Sequence, residues 1–152
     1  MSYKHLEIEK KGTIATVYLN RPEKLNALSR EVHNELFALT DALHGDSDTR
    51  VVVFTGRGKN FSAGSDLKDP ATADQMSGSE LRKLRSMKSG PRTIRGIYEI
   101  SQITIAAING YALGGGACIA SACDFRIGAD NCLVGYPEVG LAMNLSWVAL
   151  PL

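Results

Sequence analysis

The stretch NGYALGGGACIASACDFRIG, Asn109–Gly128, decides the fold. The apolar run Ile103–Ile108 leads into it and reads as a strand, and Asn109-Gly110 is a turn signal. Gly114–Ala122 is built of small residues and reads as a closely packed helix. Asp124–Ile127 returns as a strand. Upstream the same alternation holds. Tyr3–Glu9 and Thr13–Leu19 read as strands joined by a hairpin turn at Gly12, and Asn20-Arg21-Pro22 ends the second. Ser29 can cap a helix that has Glu31 in its first turn. Val32, Leu36, Leu39 and Leu43 mark its apolar face, and Gly45 closes it. Arg50–Thr55 is an apolar strand of the kind buried on both faces. Pro70–Gly90 is polar and is expected to be mobile, Arg92–Ile100 reads as helix, and Cys132–Val134 as a strand. Strands alternating with helices imply a layered α/β domain over residues 1–152.

Three segments follow or flank predicted strand ends, where ligands sit in layered α/β proteins. They are FSAGSDLK at Phe61–Lys68, the glycine-rich stretch itself, and GYPEVGL at Gly135–Leu141. Gly114-Gly115-Gly116 opens the predicted helix, whose first turn has unpaired N–H groups and the positive end of the dipole. Such a turn can receive an oxyanion, with the Ser65 amide as a second donor from another loop. A triple glycine is more often a close packing point between helix and strand than an oxyanion hole. The spacing is not GxGxxG, and no Gly-Lys-Ser/Thr follows, so dinucleotide and P-loop readings are poor.

Glu138 follows Pro137, which restrains the backbone there, in an apolar stretch that disfavours the ionised carboxylate. That suits a general base, although on the local sequence alone a surface-loop glutamate is the better fit. Lys59 and Lys68 bracket the Ser65 loop, and Lys68 is a candidate phosphate contact. Arg82–Lys88 reads as a solvated helix face.

Composition closes off other classes. Hydrophobic residues make up 44% and charged residues 22%, as in ordinary globular proteins. A net charge of +1 gives no basic field for nucleic acid. No apolar run is long enough to span a membrane, and Met1–Lys11 has no signal-peptide core, so a cytoplasmic location is expected. Cys118, Cys123 and Cys132 form no CxxC pair and read as reduced, mostly buried thiols, with no metal site expected. His33 and His44 are placed on a surface helix, and no histidine lies in a catalytic setting.

NRPEKLNAL at Asn20–Leu28, FSAGSDLK and NGYALGGGACIASACDFRIG together closely resemble, in order and spacing, the signature segments of the enoyl-CoA hydratase/isomerase (crotonase) family. The resemblance runs from about Ile14 to Trp147. It implies a crotonase-like fold of repeated ββα units and a coenzyme A thioester substrate. It implies no permanently bound cofactor, coenzyme A being part of the substrate. It places the oxyanion donors at the amides of Ser65 and Gly115, and an acid/base at Glu138. Lys24, Leu25, Ala27, Ala63, Asp66, Leu67 and Lys68 would line the adenine and pantetheine path. Tyr111, Leu113, Gly114, Pro137 and Leu141 would also contact the substrate or its coenzyme A moiety. A homotrimer or hexamer is the assembly it implies.

Two departures from the family pattern shape the expectation. Family hydratases carry a glutamate just after the triple glycine, where this chain has Cys118, and only Glu138 remains. A thiol does not replace a carboxylate at its ordinary pKa. One glutamate can still shuttle a proton between carbons, so double-bond isomerisation is preferred over hydration. Cys118 itself reads as a small packing residue. The second departure is length. The chain stops at Leu152, where family members continue through further helices, so a missing C-terminal helical region is expected. The glycine-rich stretch that often follows the Pro-Glu motif is replaced by Ala142–Trp147. Alternatives are a non-catalytic CoA-thioester-binding or assembly module, and another family reaction such as thioester hydrolysis, dehalogenation or decarboxylation.

Overall fold

A computed structural model describes residues 3–71 and 79–141. In chain order the elements are β1 (Leu6–Lys11), β2 (Ile14–Leu19), α1 (Arg30–His44), β3 (Val51–Gly56), α2 (Glu80–Met87), α3 (Ser89–Glu99), β4 (Ile103–Ile108), β5 (Tyr111–Leu113), α4 (Gly115–Ala122), β6 (Phe125–Gly128) and β7 (Leu133–Gly135). Two 3-10 turns, Pro22–Lys24 and Pro137–Leu141, sit at the ends of the chemistry-bearing segments.

β1 and β2 form the expected antiparallel hairpin, turning at Gly12 with φ 58°. β2, β3, β4 and β6 then run parallel, giving the sheet order β1-β2-β3-β4-β6. The first strand begins at Leu6 rather than Tyr3. The Glu35 carboxylate accepts the backbone N–H groups of Lys4, His5 and Leu6 at 2.9–3.0 Å, so those donors serve α1.

One face of the sheet carries the core. Val17, Leu19, Val52, Phe54, Ala106 and Ile108 pack with Val32, Leu36, Leu39 and Leu43 of α1, Ile94 and Ile97 of α3, and Ile119 of α4. Ser29 caps α1, its hydroxyl accepting the Val32 N–H at 3.3 Å. Gly45 ends that helix in right-handed geometry, with φ −95°, so the left-handed cap expected of glycine is not used. β3 alternates buried and half-buried residues, correcting the expectation of burial on both faces. Among the described residues, helices cover one side of it. His33 is also corrected: it is buried, not at the surface, because α3 packs on its flank of α1.

A second, smaller layer explains the placement of the site. β5 pairs with β7 in parallel, Ser62 bridges to Ala112 of β5, and Leu28 bridges to Ser65. Each parallel strand of the large sheet therefore sends a short segment into this layer: β2 leads to Leu28, β3 to Ser62–Ser65, β4 to β5, and β6 to β7. The ββα repeat implied by the resemblance is this two-layer step. Of the segment expected to be mobile, Thr72–Gly78 lies outside the described residues, and Glu80–Met87 is helical.

Candidate active site

Ser65, Gly115 and Glu138 occupy equivalent places in three successive steps, each just past a segment of the small layer. Ser65 is held first. Ala63 N–H donates to the Leu25 carbonyl at 3.0 Å, Leu28 N–H to Gly64 at 2.8 Å, and Asp66 N–H to Leu28 at 3.0 Å. These bonds lace Leu25–Leu28 to Ala63–Asp66 as a short parallel ribbon. In such a bridge the two flanking residues make the bonds to Leu28, so the Ser65 N–H points to the opposite edge.

That opposite edge faces the glycine-rich turn. Gly64 has φ 89°, and a β-carbon there would lie 2.7 Å from the Leu113 carbonyl oxygen and 3.4 Å from the Gly115 nitrogen. Only glycine permits both that dihedral and that approach. Gly115 begins α4, so its N–H has no acceptor within its own helix. The Gly115 nitrogen thus lies beside Gly64, the residue before Ser65. Gly116 plays the packing role, lying against Ser62.

Glu138 closes the third side. Gly114 has φ 49°, and a β-carbon there would lie 2.6 Å from Glu138 Oε1. The carboxylate fills the space left by the absent side chain, one residue before the Gly115 amide. Glu138 Oε2 is buried and meets no hydrogen-bond partner among the described residues. Gly114 N–H donates to the Gly135 carbonyl at 2.9 Å, tying the start of α4 to the segment that carries Glu138.

Cys118 is buried one turn along α4, its N–H bonded to the Gly114 carbonyl at 2.9 Å. Burial, and then the charge of Glu138, push its thiol up to about 12. It is a neutral thiol near neutral pH and supplies no second base.

The remaining sequence candidates fall in two groups. Lys24, Leu25, Leu67 and Lys68 are exposed, with Ala27 and Ala63 half-buried between them, along the ribbon that holds Ser65. Tyr111 and Pro137 are exposed and Leu113 is half-buried on the β5–β7 side. The Leu141 side chain lies outside the described residues. Asp66 is engaged structurally: its carboxylate pairs with Arg21 at 3.0 Å and accepts the Lys68 N–H at 3.1 Å. A groove along α3, lined by Lys88, Arg92, Arg95 and Tyr98 among others, shares no residue with this constellation.

Two supports escaped the sequence reading. Asn26 is buried with φ 55°; its side chain accepts the Arg21 N–H at 2.9 Å and donates to the Arg57 and Asn60 carbonyls at 2.9 and 2.7 Å. Its own carbonyl accepts the Ser62 hydroxyl at 2.8 Å, and that hydroxyl accepts the Gly64 N–H at 3.2 Å. Asparagine's tolerance of left-handed backbone was the available signal. The other is a hydroxyl pair, Ser121 with Tyr136 at 3.0 Å, for which no sequence motif exists. Among the described residues no cluster of His, Cys, Asp or Glu could hold a metal. No described helix is long and apolar enough to cross a membrane.

The sequence profile of the enoyl-CoA hydratase/isomerase family matches residues 9–146. A crotonyl-CoA hydratase of Syntrophomonas wolfei is 38% identical over 145 residues, 95% of this chain and 54% of that protein. A short-chain-enoyl-CoA hydratase of Clostridium acetobutylicum is 36% identical over the same shares. The crystal structure of an enoyl-CoA hydratase from Bacillus anthracis superposes with a TM-score of 0.86 at 31% identity, covering 97% of this chain and 57% of that one. This chain belongs to the enoyl-CoA hydratase/isomerase family. It spans about half the length of the curated relatives it matches.

Proposed function

We propose that this chain carries the catalytic half of an enzyme acting on an enoyl-coenzyme A thioester. The Ser65 and Gly115 amides would hold the thioester oxygen. The exposed segments Lys24–Ala27 and Ser65–Lys68 would run beside the coenzyme A moiety, with Lys68 free to meet a phosphate. The observation that carries the reading is the junction of Glu138 Oε1 with Gly114, next to the Gly115 nitrogen and the Gly64 turn. A base placed there meets the carbon adjacent to a carbonyl held by the two amides.

Isomerisation is the reaction this arrangement supports best. Glu138 removes a proton from C2 of a 3-enoyl thioester, and the electron pair delocalises onto the thioester oxygen. The same carboxyl returns the proton at C4, leaving the 2-enoyl product. Negative charge develops on the oxygen, where preorganised amides stabilise it most. Hydration by two carboxylates is less well served, because Cys118 stays neutral. The names of the relatives favour hydration, so product identity is the test. Turnover of 2- and 3-enoyl-CoA is followed by chromatography with mass detection, where hydration gives a product one water heavier and isomerisation a chromatographically separate one of unchanged mass. Glu138→Gln is expected to lower turnover roughly 10²–10⁴-fold. Unchanged turnover in that variant excludes Glu138 as the base.

A second reading, a binding module without turnover, draws on the same neutral Cys118. It predicts that acyl-CoA binds and that no thioester in a panel is converted.

A further inference from the structure

The carboxylate of Glu138 has no hydrogen bond to hold its buried oxygen among the described residues. Among the described residues, what places it is the backbone that carries it. Two ties connect that backbone to α4. One is the Gly114 N–H to Gly135 carbonyl bond. The other is the hydroxyl pair between Ser121, on the last turn of α4, and Tyr136, two residues before Glu138. α4 also carries Gly115 at its first turn, and Ser121 lies six positions further on, about 9 Å along the axis. The helix acts as a ruler, with the donor amide at one end and the tether of the base segment at the other. Pro137 limits backbone rotation between Tyr136 and Glu138.

We propose that the Ser121–Tyr136 hydroxyl pair is a positioning element that sets Glu138 relative to the Gly115 amide. This rests on the reading of Glu138 as the base. Neither hydroxyl needs to touch substrate. Each acts through the placement of the carboxylate, where a displacement of about 1 Å can cost up to 10²-fold in rate.

The test uses Tyr136→Phe, Ser121→Ala and the double variant, which remove the hydrogen bond with little loss of volume. The reaction is deuterium wash-in at C2 of butyryl-CoA in D2O, followed by NMR. It needs only the base and the oxygen donors. Each single variant is expected to slow exchange several-fold at saturating thioester, with the dissociation constant of butyryl-CoA unchanged. The double variant is expected to be no slower than the worse single, because both remove one bond. Additive losses, weaker binding with an unchanged saturated rate, or unaltered exchange would each overturn the proposal. Thermal melting of all three identifies any variant that has lost its fold, and a slow variant that melts well below wild type counts against a positioning role. Absence of wash-in by the wild type, or wash-in undiminished by Glu138→Gln, overturns the base assignment itself and the pair's role with it.

Discussion

Gly114 shows how one missing side chain can serve both fold and chemistry. Its φ of 49° is strained for any other residue, and the space a β-carbon would take is occupied by Glu138 Oε1 at 2.6 Å. Gly114→Ala is therefore expected to cost about 1–2 kcal/mol of stability through backbone strain. It should also displace the carboxylate, lowering turnover on the order of 10²-fold. Chemical denaturation and steady-state assays on one preparation check both; full turnover in a folded Gly114→Ala protein would remove Glu138 from the reaction. His33 makes a prediction of a different kind. Burial, against a smaller opposing effect of Asp69, lowers its pKa to about 4, and its Nδ1 lies 2.9 Å from the Thr93 hydroxyl. The unfolded chain takes up a proton near pH 6.5, while the folded one stays neutral down to about pH 4. Stability should accordingly fall as pH drops from 6.5 to about 4, by up to about 3 kcal/mol. Urea titrations across that range, compared with His33→Gln, give the answer: the variant should lose the slope contributed by this group.

At the scale of elements, the ribbon of Leu25–Leu28 against Ala63–Asp66 aims the Ser65 amide. Asn26 is its central pin, since one carboxamide satisfies three backbone groups. Asn26→Ala would leave buried polar groups unpaired and is expected to cost about 2–4 kcal/mol. The Arg21–Asp66 pair, each side chain only 13% exposed, closes the far end. Asp66→Asn should weaken it by about 1–2 kcal/mol. Amide hydrogen exchange at Gly64–Asp66 would report either change, and unaltered protection there would deny the ribbon its part. These elements also show what a sequence can disclose. β2, α1, β4 and α4 were readable because local signals agree: a capping serine, a 3.6-residue apolar stripe, apolar runs bounded by turns. Ser65 and Gly115 were singled out from two of the motifs that carry the resemblance, and Glu138 from the later Gly135–Leu141 segment. β5 was not readable, because three residues carry no periodicity and it pairs with segments far along the chain. His33 was misplaced because it sits at the margin of the apolar stripe, where only the docking of α3 decides burial. Asn26 and Tyr136 act through contacts across the fold, which no local pattern announces.

For the whole molecule, the informative surface is the face of the large sheet that no described helix covers. Its pairing register sets out three rows: Lys11, Ile14, Val51 and Ile103; Glu9, Thr16, Val53, Ile105 and Phe125; Glu7, Tyr18, Thr55, Ala107 and Ile127. The rows grade from charged at β1 to apolar at β6. On the charged side Arg57 stacks on Tyr18, 3.5 Å from the ring centre, and pairs with Glu7 and Glu9, which keeps that flank hydrated. On the apolar side Phe125 and Ile127 are 59% and 63% exposed, on β6, the edge strand of the large sheet among the described residues. An apolar face beside an open edge recruits further chain or a dye. The 152-residue chain is thus expected to bind 8-anilinonaphthalene-1-sulfonate in its native state and to self-associate as concentration rises. Phe125→Lys with Ile127→Lys should suppress both. Stability should change by less than about 1 kcal/mol, because neither side chain belongs to the core. Sedimentation and dye titration of the two proteins decide it: equal dye binding would place the sticky surface elsewhere, and a large loss of stability would mean that these side chains are packed rather than exposed.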